Sequence, residues 1–186
     1  VESLIEALVA SAEVELKAGN HAEAKRCARQ ARDIARWSKM AHFELRAALT
    51  AARAACGEGT GLESLAELAE LVRRANEGGY RPLAARGSDL IGEIHARSGD
   101  LGAAADEFTR AADQMKEILA SLCEEDRRSL VHHPDWKQMT GNLLDTLVKT
   151  GRREEALAYL VAFGVASCEV APAPPGEPIL SAVSAA

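Results

Sequence analysis

Aromatic side chains make up only 4% of the sequence, although 47% of its 186 residues are hydrophobic. Alanine and leucine carry most of that apolar content, so the core has to form by close approach of small side chains. Proline is equally scarce. Four of the six stand together as Pro172, Pro174, Pro175 and Pro178, and the chain before Ala171 is nearly free of helix breakers. The cysteines Cys27, Cys56, Cys123 and Cys168 form no CxxC pair, which removes the usual zinc and redox motifs. They read as free thiols in a reducing cytoplasm. No GxSxG, phosphate loop, HExxH or dinucleotide fingerprint occurs. His21 and Cys27 are six residues apart on a helix, which puts them on different faces. Neither an enzyme nor a bound cofactor or metal is therefore expected. A long uninterrupted apolar run is also missing, as is a charged-then-apolar leader behind Val1. The expectation is a soluble piece of a longer protein with no membrane span. A net charge of −6 argues against general affinity for nucleic acid.

What remains is helical periodicity. Leu4, Leu8, Ala12 and Leu16 form one apolar stripe, broken by Gly19 and Asn20. Asn20 with Glu23 reads as a capping box for a second helix, which places Ala24, Cys27, Ala28, Ala31 and Ala35 on one face. Further helices are predicted over about 38–56, 62–76, 82–98, 101–119, 134–150 and 152–163. Ser121 with Glu124 reads as a second capping box opening a short helix that stops before Pro134. Residues 1–168 thus form one helical unit, and 169–186 a Pro/Ala-rich tail expected to be extended or disordered.

The helices repeat as pairs. In the stretch 90–118, Gly92 is followed by His95, the Gly99-Asp100 turn, then Ala104, Phe108 and Ala111. This unit resembles a tetratricopeptide (TPR) repeat. Small residues stand where backbones cross, larger ones fill the gap between pairs, and Gly-Asp turns the chain and caps the next helix. Ala12, Gly19-Asn20, Ala24, Ala28 and Ala31 form a second copy, and Gly151, Ala156, Leu160 and Phe163 a third. A weaker copy runs through Gly61, Leu65, Ala69 and Val72. The anchors Ala24, Leu65, Ala104 and Ala156 lie 41, 39 and 52 residues apart. A minimal TPR period is about 34. The longer spacing is similar to arrays in MalT-like regulators and beside bacterial kinase or ATPase modules. The resemblance implies an all-α, right-handed superhelical array of antiparallel helix pairs: about four pairs plus one short extra helix.

The resemblance also implies a concave groove lined by the first helix of each pair. Aligning the copies puts Glu6, Val9 and Glu13 there, then Arg86, Asp89, Glu93 and Arg97, then Gln138, Asp145 and Lys149. Val9 and Glu13 occupy places where a Lys/Asn carboxylate clamp would be needed, so a chaperone C-terminus is not the expected ligand. A mixed or basic peptide suits the groove better. Elsewhere, Lys25, Arg29, Arg32 and Arg36 form a basic row. It reads as the solvated outer face of a second helix, the alternative being contact with an acidic surface or phosphate. His132-His133-Pro134-Asp135-Trp136 reads as a turn with Asp135 as helix cap and Trp136 as packing anchor. Trp37, Phe43, Tyr80 and Tyr159 are the other large anchors, for packing or for an interface. The expected function is non-catalytic binding of a protein or peptide partner within a larger bacterial signalling protein. Self-association into a homo-oligomer, or service as the regulatory arm of an attached kinase, ATPase or transcription regulator, are the alternatives.

Overall fold

The computed structural model describes residues 1–59 and 61–163. The Pro/Ala-rich tail, 169–186, lies outside them. The helices are α1 (Glu2–Lys17), α2 (His21–Trp37), α3 (Ala41–Gly57), α4 (Leu65–Glu77), α5 (Arg81–Ser98), α6 (Leu101–Ser121), α7 (Glu124–His132), α8 (Pro134–Lys149) and α9 (Arg153–Ala162). A 3-10 turn, Gly61–Ser64, leads into α4. The pairs are α1/α2, α3/α4, α5/α6 and α8/α9, with the short α7 laid against α8. First helices α1, α3, α5 and α8 touch in succession and form an inner layer, and α2, α4, α6 and α9 form the outer one.

The turn chemistry explains some boundaries and corrects others. Gly99 takes φ +87°, a conformation that glycine adopts without strain. The next residue, Asp100, accepts a hydrogen bond at 3.0 Å from the Ala103 N–H, so this turn caps α6 as expected. The two capping boxes do not form. The Asn20 side chain instead donates back to Glu15 at 2.7 Å, and Glu23 pairs with Arg26. Ser121 remains inside α6 and donates to the Ile118 carbonyl at 2.7 Å, because that helix runs further than its apolar pattern suggests. Asp135 is not the cap of α8 either. His133 accepts from the Asp135 N–H at 3.3 Å, which leaves the Asp135 carboxylate free to reach across the array.

Among the described residues, four apolar clusters run along the stack, one of them the small set Ala12, Cys27, Ala28 and Ala51. Ile5, Val9, Ala31, Ala35 and Ala47 hold the first end. Leu45, Leu49, Leu68, Leu71, Leu90 and Ile94 fill the middle. Phe108, Met115, Trp136, Leu143, Leu147 and Phe163 pack the far end. The repeat's small residue has a clear reason at Gly92: a Cβ there would stand 2.6 Å from the Phe108 ring. Gly92→Ala is therefore expected to destabilise the fold. Overpacking costs about 1–3 kcal/mol, more than the roughly 1 kcal/mol that alanine returns as helix propensity. Urea unfolding checks this, and adding Phe108→Leu should restore part of the loss. An unchanged midpoint would mean that the ring has room to turn aside.

Candidate functional site

The inner layer encloses a groove of about 760 Å³, to which α1, α3, α5 and α8 all contribute. Glu13, Arg86, Glu93, Arg97 and Gln138 line it, five of the ten positions that the repeat alignment placed there. Asp89 lies beneath them, in a recess shared with Arg53, Arg86, Glu93 and Gln138. The remaining four positions stand elsewhere. Val9 is a correction: it is 0% exposed and packs with Ile5 and Ala31, since its helix turns that side inward onto α2. Glu6 is exposed on α1 but does not line the groove. Asp145 and Lys149 pair with each other at 2.6 Å on the exposed surface of α8, again off the groove.

A polar network spans α5 and α8. Gln138 donates to Glu93 at 3.0 Å. Asn142 donates to Glu93 at 3.3 Å and to Asp89 at 3.4 Å. Arg86 pairs with Asp135 at 2.5 Å, the reach that the His133 cap makes available. Arg97 donates to the Cys56 carbonyl at 3.2 Å and lies 4.0 Å from Glu93. Asp89 is 7% exposed and makes no ion pair among the described residues. Burial, reinforced by the Glu93 charge, pushes its carboxyl up to about 7, against the weaker pull of Asn142 and Arg53.

Opposite this network, α3 contributes cations that the sequence reading missed. Arg46 and Arg53 stand two turns apart on the groove side of α3. Arg46 lies 3.5 Å from Glu13. Arg53 is exposed and makes no ion pair or hydrogen bond among the described residues. The groove and its recess thus set an unpaired arginine across from a buried carboxylate and the amide of Gln138. Amides and a guanidinium are hydrogen-bonding partners suited to a peptide backbone and its acidic or polar side chains.

The outer layer differs more from expectation. All four residues of the basic row line a separate cleft of about 610 Å³, with Arg29 and Arg36 exposed along it. Lys25 bridges to Glu58 at 2.8 Å. Glu44, almost fully buried, accepts from Arg36 at 3.1 Å and from Arg74 at 3.2 Å. The Arg74 hydrogen bonds, outweighing burial, hold its carboxyl below the usual range. Of the large anchors, Trp136 and Tyr159 are core residues, whereas Trp37 is 82% exposed. Among the described residues, no helix is long and apolar enough to cross a membrane.

No protein-family model matches the sequence, and neither does any curated protein. Solved structures do match. The Rap conjugation gene regulator of the plasmid pLS20, in complex with the Phr* peptide, is similar with a TM-score of 0.69 at 19% identity, over 87% of this chain and 41% of that one. The apo form of RapI is similar with a TM-score of 0.66 at 14% identity, over 88% of this chain and 55% of that one. A kinesin light chain of Podosopora anserina with nearly identical TPR-like repeats matches 87% of this chain and 93% of its own, at 18% identity and a TM-score of 0.33. The chain therefore spans about half the length of the two Rap regulators or less. MalT-like arrays do not figure among these three. At such identities the likeness is one of fold, and that fold is an all-α, TPR-like array of helix pairs.

Proposed function

We propose that this chain is a non-catalytic interaction module that holds a peptide, or a peptide-like segment of a partner protein, in its concave groove. The observation that carries this reading is Arg53, without ion pair or hydrogen bond among the described residues, sharing one recess of the groove with the buried Asp89 and the amide of Gln138. An extended peptide presents a donor and an acceptor at each residue, which amide side chains can bind in either direction. The mixed charge of the walls suits a ligand of mixed sequence. The similar Rap regulator of pLS20 was captured with the Phr* peptide, which supports the same class of ligand for this chain. Both Rap regulators extend beyond the matched segment, which supports a place within a larger regulatory protein. Buried free Cys27 and Cys56 suit a reducing cytoplasm.

Selection of peptides from a random displayed library, followed by fluorescence anisotropy on the selected sequences, tests this reading. Arg53→Glu with Arg97→Glu should weaken selected peptides at least tenfold, about 1.4 kcal/mol. Both side chains are exposed, but Arg97 also donates to the Cys56 carbonyl, so a urea midpoint measured on the double variant separates lost binding from lost stability. Selected peptides that bind the double variant undiminished would move the ligand to another face. A library that yields no binder would remove the peptide reading.

A further inference from the structure

The basic row and the outer cleft have no part in the concave groove. Glu44, Ala48, Ala51 and Ala55 of α3 face the cleft, whereas Arg46 and Arg53 face the groove on the opposite side of the same helix. The cleft exists because α4 packs mainly on α5 and touches α3 only sparsely, so that α2 and α4 flank an open strip of α3. By contrast, α2 packs closely on both α1 and α3, and α6 on both α5 and α8.

We infer that this cleft is a docking site for an amphipathic helix of a partner protein, one that carries acidic side chains along the edge facing α2. Three observations support the choice of occupant. The floor includes Ala48, Ala51, Ala52 and Ala55, four alanines within about two turns of α3, which allows a helix to approach at close packing distance, about 8 Å between axes. One wall is a row of cations spaced four, three and four residues apart, spanning about 16 Å at 1.5 Å per residue. An incoming helix repeats its own side chains at the same intervals. The opposite wall, with Glu63, Glu67 and Glu70, is acidic and repels a uniformly anionic ligand such as a nucleic-acid backbone.

The ion pairs show where the cleft is unsatisfied. Its ends are closed by Lys25–Glu58 and by Glu44 between Arg36 and Arg74. In the middle, Arg29 is exposed with no ion pair or hydrogen bond among the described residues. Arg32 is held only at long range, 3.7 Å from Asp33 and 3.8 Å from Glu67 across the cleft, and its buried Nε makes no hydrogen bond. Carboxylates of an incoming helix would engage both arginines, and its apolar edge would cover the alanines. A drug-sized small molecule is a poorer fit, because such sites are lined mainly by apolar and aromatic groups. This cleft has no aromatic residue, and half of its lining is charged.

The test uses the whole chain and three labelled or competing probes. The first is an alanine-based helical peptide of about 15 residues, long enough to hold a helix alone, with glutamates along one edge and lysines along the other. The second has glutamines in place of the glutamates. The third is inorganic polyphosphate. Anisotropy should show the glutamate-edged helix binding at least tenfold tighter than the glutamine-edged one. Arg29→Glu, at an exposed and unpaired position, should remove that preference. Ala52→Leu, which fills the floor without altering charge, should weaken binding at least tenfold, with circular dichroism confirming an intact fold. Arg53→Glu with Arg97→Glu should change nothing, so the cleft stands or falls separately from the groove. Equal binding of the two helices overturns the proposal. Tight binding of polyphosphate that ignores Ala52→Leu also overturns it, leaving only a basic surface patch.

Discussion

Replacing Trp136 with alanine is expected to lower the unfolding free energy by about 3–5 kcal/mol, the range for removing a buried tryptophan or phenylalanine. Trp136 is 3% exposed and lies at the start of α8, where that helix meets α6 and the end of α9. Its ring stands edge-on to Phe163, with centroids 5.0 Å apart and planes at 79°. Phe163 in turn lies 5.7 Å from Tyr159, whose hydroxyl donates to Asp113 on α6 at 2.8 Å. One side chain therefore ties three helices, in a core that is otherwise poor in rings. Its buried Nε1 has no hydrogen-bond acceptor among the described residues. Trp136→Phe should consequently cost far less than Trp136→Ala, since it keeps the ring contact and removes an unsatisfied donor. Denaturant unfolding of both variants decides this. Equal losses would mean that a phenyl ring cannot stand in for the indole in this contact.

The second large effect has the opposite sign. Asp89→Asn should stabilise the fold at pH 8 and leave it nearly unchanged at pH 4. The folded-state carboxyl titrates near 7, well above its ordinary value near 4, with burial as the main cause and the neighbouring Glu93 and Asp135 adding to it. Arg53 and Asn142 oppose the shift without cancelling it. Because the folded value is the higher one, the folded state binds this proton more tightly than the unfolded chain does. Stability from this group is thus greatest at low pH and falls as pH rises from about 4 to about 7. The full difference corresponds to a shift of about three units, on the order of 4 kcal/mol at 1.36 kcal/mol per unit. Thermal or urea unfolding of both proteins across this range measures it. A constant difference between variant and parent at all pH values would show that Asp89 ionises freely. The same residue lies in the recess beneath the groove proposed to hold peptide, so the stability it costs is spent beside the proposed ligand site.

The fold was legible because its signals are redundant. Gly92, Phe108 and the Gly99-Asp100 turn each restate the same helix pair, and the small residues Ala24, Ala28 and Ala104 mark the other crossings. Caps were less legible. Asn20 and Ser121 have the right residue types, but nearby Glu15 and the Ile118 carbonyl compete for the same hydrogen bonds. Val9 was misplaced because repeat alignment fixes which helix lines the groove and leaves the rotation of that helix open by one position, about 100° of turn. Arg53 was missed because its own repeat copy, through Leu65, is too weak to align α3. The basic row was visible as a row, but no local pattern reveals that α4 leans away from it. That depends on contacts between helices distant in sequence, which periodicity does not encode.

The sparse contact between α3 and α4 has a mechanical consequence. In a stack where each helix leans only on its neighbours, stiffness is set link by link, like a chain of springs in series. The inner layer is continuous through α1, α3, α5 and α8, while α3 meets its own outer partner α4 far less than α1 meets α2 or α5 meets α6. The compliant link is therefore on the outside, and bending there changes the curvature of the inner surface without breaking it. Occupying or emptying the outer strip would widen or narrow the space between α1 and α5, so that two ligands on opposite sides of α3 would each alter the other's affinity.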